Sequence, residues 1–135
     1  MRRARTLRPI WIVSLVGVLL VTMAIGVRYH LDLTADEERL TGRSRVIDTP
    51  QGRLEYAEQG TGRPLLMIHG TGGGFDQGLL FSGDLHERGF RVIAPSRFGY
   101  LRSAPDPVAP ELQADAFAML LDELGVQDAV VVGGS

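Results

Sequence analysis

Two glycine-rich stretches hold the residues of this chain best suited to chemistry: His69-Gly70-Thr71-Gly72-Gly73-Gly74 and Gly133-Gly134-Ser135. Bare backbone lets N–H groups approach an anion closely, so phosphate binding is the first chemistry to test. A G-x-G-x-x-G dinucleotide fingerprint fails, because counted from Gly70 its last position is Phe75 and counted from Gly72 it is Gln77. A Walker loop needs lysine, and all 14 basic residues here are arginine. The lack of lysine also excludes a Schiff base. The lack of cysteine excludes disulfides, thiol nucleophiles and thiolate metal sites. His30, His69 and His86 show no metal-ligand spacing. A net charge of -2 gives no reason to expect a nucleic-acid partner, and no cofactor is implied.

The elements that must position these loops follow from the patterning. Arg45–Thr49 and Arg53–Glu58 are β-type runs joined through Pro50-Gln51-Gly52, a turn sequence. Pro64–His69, Phe90–Ala94 and Asp128–Val132 are short continuous apolar runs, as expected of strands buried on both faces of a parallel sheet. The second run is expected to stop at Pro95. Between them, Phe75–Arg88 reads as a helix ended by Gly89. Pro110–Leu124 reads as another, with Leu112, Ala116, Leu120 and Leu124 on one face and Glu111, Asp115 and Asp122 opposite. Strands alternating with crossover helices imply an α/β fold with helices on both faces of the sheet. Each glycine-rich stretch then follows a strand, at the end of the sheet where such folds bind ligands.

In that order and setting the motifs resemble the α/β-hydrolase family. His69-Gly70 and the glycines after it resemble the loop following the third strand. Gly133-Gly134-Ser135 after "AVVV" matches the first three positions of the nucleophile elbow G-x-S-x-G. "APSRFGYLRS", Ala94–Ser103, resembles the segment after the fourth strand, often D-x-x-G-x-G-x-S. Gly99 and Ser103 match, Ser96 stands where aspartate is usual, and Leu101 replaces the second glycine. The resemblance covers about Arg45 to Ser135. It implies the amino-terminal half of the hydrolase sheet, an opening hairpin followed by parallel strands with crossover helices.

It also implies roles. Ser135 would be the nucleophile, and the N–H groups of Thr71 and then Gly72 would form the oxyanion hole. His69, Gly70, Gly133 and Gly134 would support the two loops, with His69 structural and not the base. The substrate would be a small-molecule ester, lactone or amide, or an activated C–C bond. Dehalogenases and epoxide hydrolases of this fold carry a carboxylate at the elbow, whereas position 135 is serine. In this fold the triad runs in the order serine, acid, histidine. All three histidines precede Ser135, so the sequence reads as an amino-terminal fragment, inactive as given. A non-catalytic hydrolase-like interaction domain and a translated pseudogene are the alternatives.

Before the hydrolase-like region comes a different kind of sequence. Arg2, Arg3, Arg5 and Arg8 precede 19 uncharged residues, Pro9–Val27, eleven of which are Ile, Leu or Val. As a helix this stretch would span about 28 Å, close to the hydrocarbon thickness of a bilayer. No face of it is polar, which argues against a soluble core helix. The length favours an uncleaved anchor in contact with membrane lipid through residues 9–27. A cleaved signal peptide ending near Ala24-Ile25-Gly26 is the rival. Either way the arginines hold the amino terminus inside and put the remainder outside the cytoplasm. The expected organisation is a cytoplasmic tail (1–8), an anchor or signal (9–29), a linker or short surface helix (30–44) and a partial hydrolase domain (45–135).

Overall fold

Leu65, Leu66 and Met67 are consecutive and all buried, a pattern that a strand with one wet face does not allow. The computed structural model, which describes residues 8–40, 42–106 and 109–134, shows why. Strands β1 (Arg45–Thr49), β2 (Gly52–Gln59), β3 (Arg63–Ile68), β4 (Phe90–Pro95) and β5 (Val130–Gly133) form one sheet in the order β1-β2-β4-β3-β5. β1 and β2 are the antiparallel hairpin, and β2 runs antiparallel to β4. β3 lies parallel to both β4 and β5, with Leu65 opposite Val130 and Ile68 opposite Gly133. The hairpin followed by parallel strands is the architecture the sequence implies.

Alternate side chains of β3 serve two cores. Leu66 packs with Leu54, Ile93, Phe117 and Leu120, on the side covered by helix α3 (Pro110–Glu123). Leu65 and Met67 pack with Val92 and Leu79 on the other side, where helix α2 (Phe75–Ser82) lies. Gly78 lets α2 approach closely, since a Cβ there would sit 2.9 Å from the Ala94 Cβ and 3.0 Å from the Met67 carbonyl oxygen. β5 is an edge strand, and Val131 and Val132 are exposed.

Several element bounds differ from the sequence reading. The helix expected over Phe75–Arg88 ends at Ser82, because Gly83 takes φ +52; a separate 3-10 turn follows at Leu85–Arg88. Gly89, at φ +87, closes that turn as expected of a helix stop. β4 runs through Pro95, which pairs with Tyr56; the next ladder bond is donated by Ser96 N–H to the Glu55 carbonyl. β5 begins two residues later than expected. On α3, Ala116, Phe117 and Leu120 are buried, but Leu112 at the first turn is exposed.

The chain divides into two units, Met1–Thr41 and Gly42–Ser135. The first is helix α1 (Arg8–Leu40), 33 residues long. Its Trp11–Asp32 portion, 22 residues, is long and apolar enough to cross a membrane, as a signal sequence also can be. The large apolar side chains from Trp11 to Leu31 are 48–77% exposed, with no polar face among them. Thr22 donates its hydroxyl to the Val18 carbonyl at 2.9 Å, which satisfies that polar group without water. The helix continues to Leu40 through most of the stretch expected as a linker or short surface helix. No glycine or proline interrupts residues 31–40, so local charge alone does not break it.

Candidate active site

Three loops meet at the carboxyl ends of the parallel strands: residues 69–74 after β3, 96–103 after β4, and Gly134 after β5. The first is organised by His69, which is 1% exposed. Its Nε2 accepts the Arg97 N–H at 2.8 Å, so the ring proton sits on Nδ1, which donates to the Gly70 carbonyl at 2.7 Å. Tyr100 packs edge-on against the ring, with centroids 4.8 Å apart. Burial, and then the cation of Arg97, hold the His69 pKa below the ordinary imidazole value, outweighing the Gly70 hydrogen bond and Asp76, which push it up. Both ring nitrogens are spent on backbone, and His69 is a strut with no lone pair to offer a substrate.

This has a measurable consequence. The unfolded state takes up the His69 proton near the ordinary value of about pH 6.5, the folded state only at lower pH. Between the two the unfolded state binds more protons, so this contribution to stability is full above about pH 6.5 and is lost as pH falls towards the folded value. An imidazole NMR titration is expected to give His69 a midpoint below the ordinary one. A midpoint at or above it would refute the strut.

The loop's amide groups divide into spent and unspent. Gly70 N–H donates to the Gln77 side-chain oxygen at 2.9 Å, Gly74 N–H to Asp76 Oδ1 at 2.9 Å, and Phe75 N–H to Ser96 Oγ at 3.0 Å. The N–H groups of Thr71, Gly72 and Gly73 have no acceptor among the described residues. Thr71 and Gly72 are also exposed. A Cβ on Gly72 would sit 2.8 Å from Gln77 Nε2, and one on Gly73 2.7 Å from Gln77 Cβ. Gln77 thus fills the inside of the turn, most closely at Gly73.

The third loop reaches the first directly. Gly134 N–H donates to the Ile68 carbonyl at 2.8 Å, extending the β3–β5 ladder past the end of the strand. A Cβ on Gly134 would lie 3.1 Å from the Phe81 ring and 3.6 Å from Gly70 N. Gly134 is thus held against the His-Gly loop, one residue before Ser135, which itself lies outside the described residues. Gly133 differs, with open space where its Cβ would be.

The segment after β4 is anchored by a buried carboxylate that the sequence reading did not single out. Glu55 on β2 is 1% exposed. It accepts hydrogen bonds from Ser44 Oγ (2.6 Å), Arg102 Nε (2.7 Å), Arg102 N–H (3.0 Å) and Ser96 Oγ (3.1 Å). Ser103 Oγ takes the Glu55 N–H and donates to the Ser96 carbonyl. Burial alone would raise the Glu55 pKa, but the bonds from Ser44, Arg102 and Ser96 outweigh it and hold the carboxyl below its ordinary value. Leu101 adopts φ +48, the only described non-glycine residue at positive φ. It stands where the hydrolase pattern has its second glycine, and the left-handed backbone is kept without one.

No family model matches the chain. Among curated relatives, haloalkane dehalogenase 2 of Mycobacterium tuberculosis is 29% identical over 108 residues, 76% of this chain and 37% of its own length. A non-heme haloperoxidase of Rhodococcus erythropolis is 40% identical over 86 residues, 59% of this chain and 30% of its own. Among solved structures, an α/β hydrolase fold protein from Nakamurella multipartita is 34% identical with a TM-score of 0.61, over 68% of this chain and 32% of that one. A lipase, an N-acyl homoserine lactonase and an epoxide hydrolase also match. The chain spans roughly a third of the length of these relatives.

Proposed function

We propose that this chain, which belongs to the α/β-hydrolase fold family, is part of a serine hydrolase held at a membrane by its amino-terminal helix. The observation that carries the reading is the docking of Gly134 against Gly70, beside backbone N–H groups that have no other acceptor. Ser135 directly follows Gly134 in the sequence. In the reaction Ser135 attacks the acyl carbon, and the Thr71 N–H, with Gly72 next, stabilises the charge that develops on the carbonyl oxygen. His69, Gly70, Gly133 and Gly134 hold the two loops.

Neither His69 nor His86 is placed to act as the base. His69 is consumed by Arg97 and Gly70. His86 sits next to Gly60, which precedes β3, at the opposite end of the strands. The relatives' names span dehalogenation, ester, lactone and epoxide chemistry. Serine at 135, in place of a carboxylate, selects acyl transfer among these, with a small-molecule ester, lactone or amide as substrate. The arginines before α1 keep the amino terminus inside and the hydrolase domain outside the cytoplasm.

One experiment tests both parts. Intact cells expressing the complete protein are treated with a membrane-impermeant fluorophosphonate, and the adduct is located by mass spectrometry. The expected adduct is on Ser135 and is absent from Ser135→Ala. Labelling only after lysis would overturn the topology; no adduct, or one on another residue, would overturn the nucleophile.

A further inference from the structure

We propose that Gln77, on the first turns of α2, is the positioning residue of the oxyanion loop. This rests on the serine-hydrolase reading and says which amide groups serve it. Three observations converge on this side chain. Its oxygen accepts the Gly70 N–H at 2.9 Å, which fixes the orientation of the amide, since only the oxygen can accept. Its Nε2 and its Cβ occupy the space into which side chains at positions 72 and 73 would project. The helix that carries it is seated on the sheet through Gly78, whose missing Cβ lets α2 meet Ala94 and Met67. The loop is therefore wrapped around a side chain whose own backbone is fixed to the sheet.

The consequence is a division of labour among successive amides. Gly70 N–H is withdrawn from the reaction because Gln77 holds it. Thr71 and Gly72 N–H, one and two residues on, stay unpaired, and Gln77 sets their position through the turn. A displaced donor loses transition-state stabilisation while substrate binding elsewhere is intact, so the expected signature is in kcat and not in KM.

Gln77→Leu keeps the bulk and removes the acceptor. In the complete protein it is expected to lower kcat about 10- to 100-fold, with KM within about twofold of wild type. Gln77→Glu keeps an acceptor for Gly70 but brings a negative charge to a site where negative charge develops. Its activity relative to wild type should rise as pH falls and the carboxyl becomes protonated, whereas the ratio for Gln77→Leu should not change with pH. Wild-type kcat in Gln77→Leu, or a loss confined to KM, would overturn the proposal. If Gln77→Leu fails to fold, a pH-independent ratio for Gln77→Glu does the same. Amide exchange at Gly70 gives a readout independent of turnover: it should accelerate in Gln77→Leu, and unchanged exchange would show that Gln77 does not hold this group. A wild type that takes no fluorophosphonate at Ser135 removes the serine-hydrolase reading instead, and the Gly70 exchange then still decides whether Gln77 holds the loop.

Discussion

Ser135→Ala in the complete protein is expected to lower kcat by about 10⁵- to 10⁶-fold while KM changes little. The magnitude follows from what the substitution removes. In the proposed reaction the hydroxyl oxygen is the atom that forms the bond to the acyl carbon. On the proposed reading, what survives is the catalysis due to binding and to the Thr71 and Gly72 donors, about 10³- to 10⁴-fold over water. Loss of a single oxyanion donor is worth less, about 10²- to 10³-fold, so the two roles separate by size. Steady-state kinetics on an activated ester checks it. A loss of only about 10²-fold would mean that residue 135 assists an attack made by something else.

The second large effect lies away from the reacting atoms. Glu55→Ala is expected to destabilise the hydrolase domain by about 3–5 kcal/mol, the usual cost of breaking a buried charged pair by removing one partner. Ser44, Ser96 and the Arg102 N–H all lose an acceptor. The Arg102 guanidinium is 54% exposed, so water can replace part of its loss and the lower end of the range applies. The pH dependence carries the same signature. With its folded pKa depressed, Glu55 contributes stability that is complete above the ordinary glutamate value and is lost as pH falls through the folded one. Urea midpoints should therefore drop on acidification in wild type and much less in Glu55→Gln. An unchanged midpoint in Glu55→Ala at neutral pH would mean that the network is not structural.

The His-Gly loop was legible in the sequence because its geometry is local. A histidine and a run of glycines after a buried strand specify a turn whatever the rest of the fold does. Glu55 was not legible. In "RLEYAEQ" it reads as one of two surface carboxylates on a half-buried strand. Its partners Ser96 and Arg102 lie 41 and 47 residues away, beyond any periodicity. The one available signal was Ser96 itself, a serine where the resembling pattern has aspartate. Gln77 escaped for a different reason: it is one polar residue within a stretch that reads as a helix, and its use depends on the neighbouring turn curling back over it. The helix break at Gly83 was missed because glycine is tolerated within a helix often enough that the stronger stop at Gly89 took precedence.

The strand order has a consequence for how the domain is made. β3 leaves the ribosome before either of the strands that flank it. β4 follows about twenty residues later and takes one side; β5 is separated from Ile68 by residues 69–129. At a synthesis rate of roughly 5–20 residues per second, that gap lasts about 3–12 seconds. Through that interval the Leu65–Ile68 backbone offers an unoccupied edge to any other nascent or misfolded chain. α3 is made within the same interval and can cover one face of β3, but it cannot occupy an edge. The residue proposed as nucleophile follows the last described strand in the sequence and is synthesised only after the loop that would receive its substrate.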